Sequence, residues 1–282
     1  VANISAKDVK ALRERTGAGM MDCKKALADS DGDVDRAIDL LREKGLAKAA
    51  KRAGRETSEG AVGVSIDGGT GVIVELGCET DFVAKNEQFQ GLVQDVADAL
   101  RAAAPVDDVA AALATPMGGE TVEAQIQAAV GRVGENIQLK RVATVSVDGV
   151  VGGYVHAGGK LGVLVGVATG SPGAAADVAK DLAMHVAAAD PTPLAVDRDG
   201  IDKAVVEKEE AILRAQALES GKPEKIVDNI VKGRINKFYA EHCLVEQPFV
   251  KDPDKKVSDV LAEAGDARVT AFVRFKLGEG TE

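Results

Sequence analysis

Apolar residues recur at helical spacing from the start of the chain. Val9 and Leu12 follow Ser5 and Asp8, a serine and a carboxylate at capping-box spacing. Gly17 and Gly19 stop that helix, and a second runs over residues 20–28. Asp31-Gly32-Asp33 supplies the next turn and cap. Val34, Ala37, Ile38 and Leu41 then mark a third amphipathic helix, which Gly45 weakens. The three helices make a unit over residues 1–54. So small a unit buries little apolar surface, and the pattern predicts a mobile attachment module.

The period then shortens to that of strands. Residues 61–66, an Asp67-Gly68-Gly69 turn and residues 71–76 read as a hairpin. A helix carrying Phe89, Leu92, Val93, Val96 and Leu100 follows. Residues 104–120 hold Pro105, Pro116 and the Gly118-Gly119 pair, and read as a loop with a short Ala-rich helical turn. A second meander (142–147, 152–155, 162–167) precedes a helix over 177–188 with Val178, Leu182, Met184 and Val186. Gly71-Val72-Ile73-Val74 corresponds to Gly162-Val163-Leu164-Val165, each trailed by a helix. The expectation is an α+β core of two related strand-and-helix subdomains, 55–141 and 142–282.

Within the second subdomain the texture changes. Ile201, Val205, Val206, Ile212 and Leu213 fall on one highly charged helix, and Ile226, Ile230, Val231 and Ile235 on another. Ser220-Gly221-Lys222-Pro223 breaks them. This predicts an antiparallel coiled-coil hairpin at about residues 195–243, projecting from the body. Strand character returns over residues 269–277, with an apolar anchor at Pro248-Phe249-Val250.

Composition sharpens this picture in one respect. Aromatics are 3% of the 282 residues and Trp is absent, so the core rests on Ala, Val, Leu and Ile, and any exposed Phe gains interest. The net charge of −10 argues against a general nucleic-acid binder. Lys44, Lys48, Lys51, Arg52 and Arg55 form a dense basic cluster, read as a solvated helix end; neither DNA binding nor RNA contact is expected. Cys23, Cys78 and Cys243 are far apart and form no CxxC pair, which suits a reducing cytosol. With no apolar leader and no run near the ~18 residues of a membrane span, the expected location is the cytoplasm, away from membranes.

The search for catalytic chemistry comes back empty. Gly17-Ala18-Gly19-Met20-Met21-Asp22 resembles a dinucleotide loop but lacks its third Gly and a preceding strand. Gly158-Gly159-Lys160-Leu161 reads as a hairpin turn. His185 reads as a helix residue with one satisfied nitrogen. His242 and Cys243, adjacent on one helix, point apart. His156, at a strand edge, suits a surface contact. No nucleophile elbow, metal site or cofactor pattern appears, so no enzyme, metal or cofactor is expected. Asp81-Phe82, at a strand exit, has two readings: a helix cap with a core aromatic, or an exposed carboxylate and ring offered to a partner. Met20-Met21 likewise reads as core or as an adaptable contact surface.

The residues carry a resemblance. LRERTGAGMMDCKKAL from Leu12 to Leu27, and Thr80-Asp81-Phe82-Val83-Ala84-Lys85, are similar to signatures of the bacterial elongation factor Ts family. Gly134-Glu135-Asn136-Ile137, Lys140-Arg141, Gly153-Tyr154-Val155-His156, Met184-His185-Val186-Ala187-Ala188, Glu246-Gln247-Pro248-Phe249-Val250 and Val273-Arg274-Phe275 match in order. The resemblance implies a guanine-nucleotide exchange factor that binds elongation factor Tu in GDP-bound and nucleotide-free forms. It implies a ubiquitin-associated-like N-terminal domain presenting Arg13, Met20 and Met21. It further implies a wedge at Thr80, Asp81, Phe82 and Val83 that disturbs the partner's Mg²⁺ site, and a second contact at His156. Some members continue past the last strand into a helical module; the ending at Gly278-Glu279-Gly280-Thr281-Glu282 implies that this contact is missing. The alternative is an adaptor or chaperone that binds a translation GTPase without accelerating exchange.

Overall fold

The computed structural model describes residues 4–221 and 223–279. Three helices open the chain: α1 (Ala6–Thr16), α2 (Met20–Asp29) and α3 (Val34–Arg52). Ser5 and Asp8 close the expected capping box on α1, and Gly17 ends it in the left-handed region at φ 65°. Val9, Leu12, Cys23, Ala26, Leu27 and Ala37 form the small core of this unit.

Gly45 does not interrupt α3, which runs through it to Arg52. Its lack of a side chain serves a crossing instead. A Cβ built on Gly131 of α7 (Val122–Val133) would lie 3.0 Å from the Gly45 Cα, so these two helices meet backbone to backbone. Arg42 of α3 adds an ion pair to Glu120 at 2.5 Å. In the structure the helical unit is docked on the core through α3. The basic cluster is not simply a solvated end, since Lys44 and Lys48 hold the Asp22 carboxylate at 2.6 and 3.0 Å.

The core has two three-stranded antiparallel sheets of matching topology. In the first, β1 (Glu59–Asp67) and β2 (Thr70–Cys78) form a hairpin. The chain continues through α4 (Asp81–Ala84), α5 (Glu87–Ala103), α6 (Val109–Ala114), the paired strands β3 (Pro116–Met117) and β4 (Glu120–Thr121), and α7. It returns as β5 (Ile137–Ser146) beside β2. In the second, β6 (Gly149–His156) and β7 (Leu161–Ala168) form the hairpin and α8 (Pro172–Ala188) follows. The third strand is β10 (Arg268–Lys276), beside β7. The expected break between residues 141 and 142 falls inside β5, which pairs with β2 from Ile137 to Ser146. Reading 142–147 as the start of the second meander was wrong; the third strand of each sheet is a late return, invisible to local periodicity.

Alternation along β2 and β7 explains the layering. Val72, Val74 and Leu76 face α5 and α7, whereas Ile73 faces the other sheet. Val163, Val165 and Val167 face α8, whereas Leu164 meets Ile73, Val62, Val145 and Val151 between the sheets. The result is helix, sheet, sheet, helix, with both central strands covered on both faces. Glycine permits the sheets' close approach: a Cβ on Gly162 would sit 2.4 Å from Val62 Cγ1. Glu75 also points between the sheets, fully buried against Arg141, whose guanidinium lies 4.3 Å from the Phe275 ring centre.

The hairpin is α9 (Lys203–Glu219) and α10 (Glu224–His242), inserted between α8 and β10. Leu213, Ala217, Val227, Val231 and Ile235 fill its seam. Ile201 precedes α9 and is buried at the hairpin's base with Ala195 and Cys243, so its placement on the helix is corrected. Of the expected break, Lys222 lies outside the described residues, as do Gly280, Thr281 and Glu282 at the end. The chain between hairpin and last strand forms β8 (Pro248–Phe249), β9 (Asp252–Lys256) and α11 (Val257–Glu263).

Candidate functional site

β2 leaves the core at Cys78, and the next residues turn sharply outward. Thr80 N-caps α4, its hydroxyl accepting the Val83 N–H at 3.4 Å. Thr80, not Asp81, is therefore the cap. Within this single helical turn Ala84 is buried and Val83 packs against the first core cluster, which directs Phe82 the opposite way. Phe82 is 84% exposed, and the core-packing reading of its ring is overturned. Asp81 accepts a hydrogen bond from Lys85 Nζ at 2.7 Å, which holds its carboxyl below the usual range; Lys160 adds a smaller electrostatic pull. The turn thus presents a bare ring beside a fixed negative charge.

Two carboxylates fasten this turn to the one joining α7 and β5. Glu135 accepts from Thr80 N at 3.0 Å and from Thr80 Oγ1 at 2.7 Å. In return Glu79 accepts from Asn136 N at 2.6 Å and from Arg55 Nη1 at 3.3 Å, and its carboxyl is held below the usual range, chiefly by the Asn136 N–H. Asn136, buried, donates to the carbonyl oxygens of Arg55 and Ala53 at 2.8 and 3.4 Å. The chain leaving α3 is therefore tied to the same junction as the exposed turn. Glu79, Glu135, Asn136 and Arg55 were not singled out for this role from sequence. The signal was Gly134-Glu135-Asn136, a polar turn between apolar runs, but its partner lies 55 positions away.

The other expected contact residues lie on other elements. Arg13 is exposed on α1. Met20 and Met21, at the start of α2, are 56% and 73% exposed, so they do not fill the core of the helical unit. His156, exposed at the end of β6, shares a 2.8 Å hydrogen bond between its Nδ1 and the Tyr154 hydroxyl. The turn after it comes close to the exposed one: Gln90 Nε2 donates to Ala84 O at 2.6 Å and to Gly158 O at 3.4 Å.

His185 is different from its expectation. It is buried, and both ring nitrogens are engaged: Nδ1 accepts from Val250 N at 3.1 Å and Nε2 donates to Gln247 Oε1 at 2.9 Å. Gln247 in turn donates to Pro191 O and Glu241 O. This pins the base of the hairpin to α8 and is structural. The Cys78 thiol is pushed up to about 12 and the Cys243 thiol to about 11, both mainly by burial, so neither is a poised nucleophile. Among the described residues no cluster of three His, Cys, Asp or Glu side chains is placed to hold a metal, and no helix is long and apolar enough to cross a membrane. What the turn presents is an exposed ring on a braced backbone.

Comparison with known proteins adds the family context. A family model described as elongation factor TS matches residues 79–279. A protein of Prosthecochloris aestuarii named elongation factor Ts is 47% identical, covering 99% of this chain and 100% of its own length. Proteins of the same name from Chlorobaculum parvum and Chlorobium phaeobacteroides are each 48% identical with the same coverage. These relatives extend the likeness across the N-terminal helices.

Proposed function

This chain belongs to the elongation factor Ts family, and from that premise we propose that it is the cytoplasmic nucleotide exchange factor for elongation factor Tu. On this reading it binds the GDP-bound GTPase, loosens the Mg²⁺ and phosphate contacts, and remains on the nucleotide-free form until a new nucleotide arrives. No bond is made or broken by its own residues. The observation that carries the reading is Phe82, 84% exposed on a turn whose backbone is held from both sides.

The chemistry of the partner's site explains why a wedge suffices. Mg²⁺ and phosphate are held by backbone amides, a Lys and metal ligands in tight geometry. An aromatic ring driven between the elements that carry these groups displaces them without competing for the base. Asp81 brings a negative charge towards a site already crowded with phosphate. Coupling is reciprocal: a factor that weakens nucleotide binding is itself bound less tightly by the loaded GTPase.

Magnitudes require more than one contact. A thousandfold acceleration needs about 4 kcal/mol of differential binding, whereas burying one Phe contributes about 1.5–3 kcal/mol. Met20 and Met21, with Arg13 on the preceding helix of the same unit, and His156 at the second sheet would supply the rest. Methionine suits such a surface because its side chain adapts to the opposing face.

The test is release of a fluorescent GDP analogue from elongation factor Tu with substoichiometric amounts of this protein. Many turnovers of accelerated release per factor molecule are expected. Binding without acceleration would leave an adaptor and overturn the proposal.

A further inference from the structure

We propose that Glu135 is a positioning residue for the exchange wedge, acting through Thr80 and touching no partner atom itself. The inference rests on the reading of Phe82 as the wedge. α4 has four residues and cannot hold its own orientation, since one helical turn fixes several dihedral angles for a single hydrogen bond. Packing of Val83 and Ala84 sets which face of the turn meets the core, and the restraint that holds the turn at that angle must come from outside it.

Glu135 supplies it. Its two carboxylate oxygens take both donors of Thr80, the backbone N–H at 3.0 Å and the hydroxyl at 2.7 Å. The hydroxyl proton is thereby committed to Glu135, which leaves an oxygen lone pair for the Val83 N–H and closes the cap of α4. The contact is doubled by its mirror: Glu79, one residue before Thr80, takes the N–H of Asn136, one residue after Glu135. Each turn's acid holds the other turn's backbone, a two-point brace that blocks rotation about either bond alone. Because Asn136 also holds the Arg55 and Ala53 carbonyls, the brace is continuous with the attachment of the N-terminal helices. A carboxylate suits the clamp because each of its two oxygens accepts one of the two Thr80 donors, and the charge strengthens both bonds.

The experiment follows stopped-flow release of a fluorescent GDP analogue against factor concentration, which separates the plateau rate from the half-saturating concentration. In Glu135→Gln one of the two Thr80 donors faces an amide N–H. The plateau should fall by about tenfold to a hundredfold, the usual cost of a misplaced contact group. The half-saturating concentration should stay within about twofold, because Met20 and Met21 are untouched. Thr80→Val reads the same contact from the other side and keeps the test open if the Gln variant fails to fold. Thr80→Ser, which keeps both donors, should restore the plateau. The double variant Thr80→Val/Glu135→Gln should be no slower than the worse single one, since both remove one interaction. Additive losses, or losses that track a falling melting temperature, would overturn the proposal. Phe82→Ala in parallel separates the two claims. If it stops exchange while Glu135→Gln changes nothing, positioning alone fails; if it changes nothing, the wedge and the brace fail together.

Discussion

In a chain with 3% aromatic residues, leaving a Phe in solvent is a costly use of a scarce side chain. Six Phe serve the whole molecule, and Phe89, Phe249 and Phe275 are buried in its cores while Phe82 is not. Met20 and Met21 show the same preference for surface over core. The sequence left both pairs open between core and contact, because residue type and local spacing are identical in the two cases. Exposure removes the core reading for Phe82 and the two methionines. His185 illustrates the opposite outcome, a polar residue with a structural role. Burial lowers its pKa below the 6.5 of an unburied imidazole, so the folded state keeps it neutral to lower pH than the unfolded state does. Its contribution is complete above pH 6.5 and is lost as pH falls from there towards the depressed folded value, with a slope of at most about 1.4 kcal/mol per pH unit for one proton. Urea denaturation between pH 7.5 and 5.5 (a range of about two units around that titration) should show this slope, and His185→Gln should flatten it. An unchanged slope in the variant would contradict the assignment.

Among the elements, those with strong local signals were legible and those set by distant pairing were not. The capping box of α1, the β1–β2 hairpin and the period of α5 follow from neighbours within a few residues. The likeness of β2 to β7 also held, since both are central strands buried on both faces. The membership of β5 was missed because antiparallel pairing across α4–α7 leaves no local trace. Gly45 was misread because a propensity argument counts its entropic cost and cannot see Gly131 across the helix crossing. That crossing yields a prediction. Gly131→Val places a branched side chain where the Gly45 backbone lies 3.0 Å from a Cβ. Backbone cannot yield as a side chain can, so overpacking of about 1–3 kcal/mol should lever α3 away from α7. Limited trypsin digestion should then cut faster near Arg52 and Arg55 while the core stays intact. Cleavage at the wild-type rate would show that the crossing does not fasten the helical unit.

At the scale of the molecule, the two sheets pack face to face and the proposed contact residues lie on their margins. The exposed turn sits at the exit of one central strand, His156 at the end of the edge strand of the other sheet, and the methionines on a helical unit docked through α3. The junction of Glu79, Glu135, Asn136 and Arg55 joins the first and third of these. On the proposed reading such bracing matters: binding energy gained at distant contacts reaches the proposed wedge only if the body between them does not deform. The residues of the proposed wedge were legible through their resemblance to a family. The brace behind them was not, because it depends on two turns 55 positions apart in sequence.

The account stands or falls on whether Phe82 acts on the partner and not on the fold. The most direct measurement pairs two readouts on Phe82→Ala: the rate of GDP release from elongation factor Tu and the melting temperature of the factor alone. An 84% exposed ring contributes little to folding, so the melting temperature should stay within about 3 °C. The release rate should drop by at least about tenfold, the equivalent of ~1.4 kcal/mol of lost wedge energy. A variant that melts early and loses activity in proportion, or one that exchanges nucleotide at the wild-type rate, would contradict it.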